Sequence, residues 1–279
     1  MKTLYLNRIQ KSIKRIKNLN VDYIPYTPEM VKQCKNTNTI VILGSGSSIN
    51  EINEEQWKFI KSVDTIGINK WFIHNFIPTY YHYETYRYAQ DLNPLLRLQE
   101  EFDFRNRYQN VLFFTSELDK KLGWHPVYRF EIFPNNAEVY TYPGYISKKF
   151  RAKYKVSFDD FSLNLGDPVW RIRGSLTSVI HLAIQIGYKK IILSGVDLNN
   201  QDYFFDKFLD LKKYGFYFDP TKHSGIGMHP TVFASGGKMG VVEFIEQLSQ
   251  YLLDEYDIKL FVSNKKSLLY KYLPYHNLQ

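Results

Sequence analysis

Two short stretches hold the residue types best suited to gripping an anionic ligand. The first is "GSGSS", where Gly44, Ser45, Gly46, Ser47 and Ser48 follow the apolar run "TIVIL" and precede a polar, helix-starting segment. Such a loop offers bare backbone amides, and a helix N-terminus behind it would add partial positive charge, together a seat for a phosphate. A tight strand-to-helix turn without a ligand is the plainer alternative. The loop is not the dinucleotide G-x-G-x-x-G, because Ile49 stands at the third glycine position, nor a P-loop, because no Gly-Lys-Ser/Thr follows. The second stretch is "WRIRGSLTS", with Arg171 and Arg173 ahead of Ser175, the expected N-cap of a long helix. Two guanidiniums beside a helix start suit a carboxylate or phosphate. A serine cap with its arginines in solvent is the plainer alternative here.

The elements that would carry these residues are legible as alternating patterns. Short apolar runs predict strands at "TIVIL", "VDTIGIN", "TYYHYE", "VLFFTS" (111–116), "KKIILSGVD" and "IKLFVS" (258–263). Helical periodicity predicts helices at "EEQWKFIKS", at 175–187 closed by Gly187, and at 238–255. Strands alternating with helices imply an α/β fold, a Rossmann-like, doubly wound, mainly parallel sheet. Ligands in such sheets sit at the carboxyl ends of the strands. The informative positions are therefore Gly44 to Ser48, Asn69, Glu84, Thr85 and Asp197 onward. Residues 198–237, rich in Tyr, Phe, Gly and His, are too long for an ordinary loop and predict a lid.

At 279 residues and 44% hydrophobic the chain can bury a sizeable core, which excludes a disordered protein. It carries 23 Tyr and 20 Phe, and many of those hydroxyls are expected to line an aromatic-rich cleft rather than the core. The one cysteine, Cys34, excludes an internal disulfide framework and a cysteine-built zinc site, and fits a reducing compartment. No run approaches the roughly 20 apolar residues that span a bilayer. The expected location is cytoplasmic, soluble or peripheral on the inner face of a membrane.

The net charge of +8 suits an anionic ligand, nucleic acid or an anionic membrane surface. Much of it sits at the start, where Ile9, Ile13 and Ile16 share a helical face among Arg8, Lys11, Lys14, Arg15 and Lys17. Residues 1–20 thus form a basic amphipathic helix that either docks on the core or lies on an anionic membrane. Pro25 and Pro28 break the pattern, which sets a helix and linker over 1–36 against a globular domain over 37–279.

The stretches "LGSGSSINEI", "TIGINKWF" and above all "RGSLTSVIHLAIQIGYKKIILSGVDL", followed by "DYFFD", "GIGMHP" and "VVEFIEQL", resemble the bacterial sialyltransferases of glycosyltransferase family 42. They are also similar to the related motility-accessory-factor transferases that use nonulosonic acid donors. The likeness runs in order over about residues 38–273 and is dense over 173–206. It implies a Rossmann-like domain with a lid and a CMP-activated acidic keto sugar as donor. Position by position, Ser45 stands where the family usually has Asn, and Asn69 matches a second nucleotide-contacting Asn. The third-strand Asn of the family falls at Glu84 or Thr85, a departure. Ser175 matches the serine that, with its helix N-terminus, holds the sugar carboxylate, and Arg171 or Arg173 takes the neighbouring arginine's part. Tyr203 matches one phosphate-binding tyrosine, the other being replaced by Asn199, while Asp197 ends the "SG-aliphatic-D" run. His229 corresponds best to the catalytic base, with His223 as the alternative.

The residue types suit that chemistry. A ketosidic donor departs through an oxocarbenium-like state, which needs a base for the acceptor hydroxyl and donors for the departing phosphate. The chain contains no Asp-x-Asp, so neither a metal nor another cofactor is expected. The expected function is an inverting, metal-independent transferase with a CMP-sugar donor of sialic or Kdo type and a glycan acceptor, as in lipopolysaccharide or capsule assembly. Two alternatives compete. A pterin diphosphokinase-like enzyme would need Mg²⁺ and could draw on Asp197, Asp202 and Asp206. A nucleic-acid-binding protein would need basic residues striped with aromatics, which are absent outside the N-terminal helix, so no nucleic-acid partner is expected. A homo-oligomer is compatible with the sequence, which fixes neither oligomeric state nor acceptor.

Overall fold

The computed structural model describes residues 23–83, 92–116, 133–145, 156–216, 227–234 and 239–279. The basic helix expected over 1–20, Glu84, Thr85, His223 and much of the expected lid lie outside the described residues.

The fold is α/β, built on one eight-stranded sheet. In chain order the strands are β1 (Tyr23–Pro25), β2 (Thr39–Leu43), β3 (Asp64–Ile68), β4 (Tyr80–Tyr83), β5 (Leu112–Ser116), β6 (Ala137–Tyr142), β9 (Lys190–Ser194) and β10 (Lys259–Val262). Their spatial order is β1-β6-β5-β4-β3-β2-β9-β10, and neighbouring strands run parallel. A separate pair, β7 (Gly144–Tyr145) and β8 (Val169–Trp170), is also parallel. After β1 at one edge the chain crosses to β2, winds back through β3, β4, β5 and β6 to lie beside β1, then returns to β2's other side as β9 and β10. Val41 accordingly pairs with Thr65 on one side and Ile192 on the other. That reversal between β2 and β9 is the topological switch point, where the connections diverge and leave a crevice at the strands' carboxyl ends.

Both faces of the sheet are covered, which is why its strands read as unbroken apolar runs. Ile40, Ile42, Ile66, Ile191 and Leu193 face helices α5 (Ser175–Ile186) and α6 (Val241–Tyr256), packing on Val179, Ile180, Phe244 and Leu248. The alternate residues Val41, Leu43, Tyr81, Phe113 and Ile192 face α2 (Glu54–Ser62), α3 (Leu92–Glu101) and α4 (Phe104–Arg107), packing with Ile60, Leu98 and Phe104. The expected strands and helices are all present among these elements.

Three expectations give way. The linker up to residue 36 holds β1, paired with Ala137–Val139, and α1 (Pro28–Gln33), whose Val31 is in the core, so residues 23–36 belong to the sheet domain. Among the described residues many tyrosines belong to the core rather than to a cleft: Tyr80, Tyr81, Tyr108, Tyr142 and Tyr188 are among the most deeply buried side chains. Most find partners there, as when Tyr80 donates to Cys34 O at 2.8 Å and Tyr188 to Asp64 Oδ2 at 2.9 Å. The segment after the Gly/Ser loop is a single 3₁₀ turn, Ser47–Glu51, and the α-helix begins only at Glu54, behind its own capping box of Asn53 and Gln56. The loop therefore runs into a short 3₁₀ turn and not directly into an α-helix N-terminus.

Candidate active site

A cavity of about 450 Å³ opens over the carboxyl ends of β2, β3 and β9, at the switch point. That is within the usual size for a small-molecule site. Of the expected residues it gathers Gly44, Ser45, Gly46, Asn69, Arg173, Ser175, Asp197, Tyr203 and His229, and it leaves out Ser47, Arg171 and Asn199.

The Gly/Ser loop forms the floor, and its amides are already engaged. Gly44 N–H donates to Ser194 O (2.7 Å), Gly46 N–H to Gly195 O (2.8 Å) and Ser47 N–H to Asp202 O (3.2 Å). Ser48 N–H donates to Asp197 Oδ2 at 3.0 Å. These four of the loop's five amide donors are not available to a phosphate. Its glycines serve close approach instead: a Cβ on Gly44 would lie 2.3 Å from Gly195 O, and one on Gly46 2.5 Å from Asp197 Oδ2. Ser45 turns its hydroxyl inward, where Oγ has no hydrogen-bond partner.

Asp197 is likewise committed. Besides Ser48 N–H it accepts from the Ser48 hydroxyl and, at 2.9 Å, from Asn264 Nδ2. It braces the floor rather than reaching for ligand.

The anion-seeking part of the site is the start of α5. Gly174, at φ +136°, is the N-cap and makes no side-chain cap bond, so Ser175 is the first helical residue rather than the cap. Serine at that position leaves its hydroxyl for another task. Ser175 is buried and donates to Asn69 Oδ1 at 3.2 Å, tying the helix start to the end of β3. No acidic residue occupies the first turn, so the positive end of a twelve-residue helix meets the cavity uncancelled. Arg173 sits beside it. Its Nη2 donates to Pro230 O at 2.8 Å, and its buried Nε has no partner. Arg171 diverges from it: with burial, its charge helps hold the His82 imidazole down to about 3.

Three residues of this wall hold left-handed backbone without being glycine: Asn69 (φ +58°), Arg173 (φ +61°) and Leu198 (φ +61°). Each such conformation costs on the order of 1 kcal/mol or more and tends to gather at functional sites.

The remaining wall comes from 198–216 and 227–232. Tyr203 bridges Gly46 in an antiparallel pair, and its ring stacks on Phe205 at 5.2 Å. Burial, then the Asp206 carboxylate, raises its pKa, so the phenol stays protonated and can donate. Asp206 itself accepts from Tyr203 N–H at 2.7 Å. Asn199 lies off the cavity while Asn200 and Gln201 line it. His229 leads the 3₁₀ turn Pro230–Val232, its Nδ1 2.8 Å from Thr231 Oγ1. Three bonds pin this turn across the cavity: His229 N–H to Leu198 O (3.1 Å), Gln201 Nε2 to Met228 O (3.0 Å) and the Arg173 bond to Pro230 O.

Sequence reasoning passed over Lys70, Gln201 and Thr231, all on the cavity wall. Lys70 was findable, since it follows Asn69 directly after a strand. Gln201 and Thr231 carried no signal of their own. Among the described residues no group of three or more His, Cys, Asp or Glu is placed to hold a metal ion. Among them, too, no helix is long and apolar enough to cross a membrane.

No protein-family model matches the chain, and no curated protein does. Among solved structures the chain is similar to the sialyltransferase CST-II in complex with trisaccharide acceptor and CMP, at 21% identity over 86% of this chain and 87% of that one, TM-score 0.46. It is also similar to the sialyltransferase CstII from Campylobacter jejuni in complex with the substrate analogue cytidine-5'-monophosphate, at 20% identity over 86% of each chain, TM-score 0.47. These are likenesses to those proteins, and a functional reading has to stand on this chain's own residues.

Proposed function

We propose that the protein is a glycosyltransferase moving a CMP-activated acidic keto sugar, of sialic or Kdo type, onto a glycan acceptor, with inversion and without a metal. The observation that carries this reading is the convergence on one cavity of a cation, an uncapped helix start, a phenol donor and a histidine: Arg173, Gly174–Ser175, Tyr203 and His229. In this reading the sugar carboxylate lies at the α5 N-terminus beside Arg173, and Asn69 contacts the nucleotide. The acceptor oxygen attacks the anomeric carbon as the carbon–oxygen bond to phosphate breaks. The acceptor's proton passes to His229, and CMP leaves with the bond's electron pair on a phosphate oxygen to which Tyr203 donates. Lys70 and Arg173 offset the charge that develops there, the task a metal performs in other transferases.

The magnesium-dependent alternative has less to draw on, because Asp197 and Asp206 accept from Ser48, Asn264 and Tyr203 N–H, leaving Asp202 of the three on the cavity wall. The wider reading, a peripheral enzyme of surface-glycan assembly held to an anionic membrane by residues 1–20, is part of the proposal.

Thermal shift with CMP, ATP, UDP-sugars and a single-stranded oligonucleotide, each with and without EDTA, tests it. Stabilisation by CMP, unchanged by EDTA, is expected. Stabilisation by ATP only when Mg²⁺ is present would overturn the proposal.

A further inference from the structure

His229 reaches the cavity from a short stretch whose backbone is fastened residue by residue. Gln201 Nε2 donates to Met228 O at 3.0 Å, His229 N–H to Leu198 O at 3.1 Å and Arg173 Nη2 to Pro230 O at 2.8 Å. Downstream, Val232 O lies so close to Gly240 that a Cβ there would be 1.9 Å away, and the Val232 side chain packs on the core. Of the three fasteners, Arg173 also belongs to the proposed carboxylate seat, and Leu198 uses its main chain. Gln201 is therefore the one whose bond to the turn can be removed by a substitution outside that seat.

Its own footing is firm. Asp197 accepts from Ser48 N–H and Asn264, and Ser47 N–H donates to Asp202 O at 3.2 Å, so the chain is tied to the cavity floor on both sides of Gln201. Asn200 Oδ1 accepts from Asp202 N–H at 3.0 Å and closes a tight turn with Gln201 at its centre. A glutamine projecting from that base holds a carbonyl because its amide carries donors. A glutamate of the same shape, once ionised, has only acceptors and would repel it.

From this geometry we infer that Gln201 is a positioning residue: by holding Met228 O it fixes the backbone from which His229 projects, and so sets where the ring stands over the cavity. This role rests on the reading of His229 as the base. A base works only within hydrogen-bond reach of the proton it takes, and a displacement of about 1 Å can cost on the order of 100-fold in rate. A bond to the residue just before the histidine therefore acts on turnover. The proposed donor contacts at Asn69, Arg173 and Ser175 do not pass through it, so donor affinity is left alone.

The first readout needs no substrate. In the full-length protein with ¹⁵N-labelled histidine, amide hydrogen exchange reports how firmly His229 N–H is held to Leu198 O. His229→Gln identifies the signal, and the amide of His181, inside α5, controls for global folding. Gln201→Leu is expected to speed exchange at His229 roughly tenfold or more and to leave His181 unchanged. An unprotected His229 amide in the wild type, or the same rate in the variant, overturns the inference whatever the enzyme's activity. Turnover gives the second reading: Gln201→Leu lowers kcat roughly tenfold with donor KM near wild type. At about pH 8, where a glutamate is ionised, Gln201→Glu falls further. A role in filling space predicts Gln201→Glu near wild type and would overturn the inference, as would a loss in KM alone. If Gln201→Leu does not fold, Gln201→Glu carries the same comparison, and failure of both to fold overturns it too. Absence of CMP-sugar transfer by a wild type whose His229 amide is protected, and loses that protection in Gln201→Leu, would overturn the proposed function and the base role built on it, while leaving the clamp established.

Discussion

His181 should make this protein acid-sensitive at its active site. It lies on α5, fully buried, with Nδ1 accepting from Trp170 N–H at 2.9 Å and Nε2 donating to Ser162 O at 2.7 Å. One neutral tautomer satisfies both bonds. A second proton would have to sit on Nδ1, facing an N–H. Burial holds its pKa down to about 4 against 6.5 for a free histidine. The unfolded chain therefore binds the proton more tightly, and stability rises with pH across that window. It is complete above about pH 6.5 and is lost as pH falls toward 4. The linkage relation gives a loss of about 2 kcal/mol at pH 5 and about 3 kcal/mol below pH 4. His82, held at about 3, adds a further loss of about 2 kcal/mol at pH 5. Together these are a large share of the 5–15 kcal/mol typical of a folded domain. The assay is urea unfolding of wild type and His181→Gln at pH 7.5 and pH 5. The variant loses its titration, so the stability gap between the two proteins is expected to narrow by about 2 kcal/mol at the lower pH. A gap that stays constant refutes the reasoning. Because Trp170 leads directly into Arg171–Ser175, part of any acid loss of the proposed activity would come from this joint rather than from His229.

His229→Ala is expected to lower turnover roughly 100-fold while donor affinity, measured by calorimetry with CMP, stays near wild type. Tyr203→Phe is expected to slow transfer by a smaller factor, because it removes one donor from the leaving phosphate. Gly44→Ala places a methyl 2.3 Å from Gly195 O and should destabilise the fold by more than about 2 kcal/mol in denaturant unfolding, whereas Gly174→Ala, with nothing within 4 Å, should lose less and only through its φ of +136°. Removing residues 1–20 should weaken flotation with anionic vesicles and leave CMP binding intact; a truncated protein that unfolds would place Ile9, Ile13 and Ile16 in the core instead.

The sheet and its switch point were readable because β2, β3 and β9 are short apolar runs buried on both faces, a pattern that local sequence carries in full. The meaning of the Gly/Ser loop was not readable. Its amides are consumed by Ser194, Gly195, Asp197 and Asp202, all about 150 residues away along the chain, and no local spacing encodes such partners. Arg171 and Arg173 stayed alternatives for a related reason. Residues two apart point the same way in an extended chain, but left-handed backbone at Arg173 interrupts that rule, and of the two only Arg173 lines the cavity. Ser175 was misplaced by one position because Gly174, a weaker cap by composition, supplies the needed backbone. The tyrosines misled because a phenol's hydroxyl can be satisfied inside the core, as the Tyr80–Tyr188–Asp64 chain does.

The brace at Asp197 sets the order in which the site can come into being. Its carboxylate joins Ser48, in the first third of the chain, to Asn264, close to the last residue of the sequence. A ribosome emits Ser48 long before Asn264, so a nascent chain holds β2 and its loop for a long interval before the carboxylate's last partner is made. The cavity floor therefore gains its last fastening only once the segment that carries Asn264 has emerged.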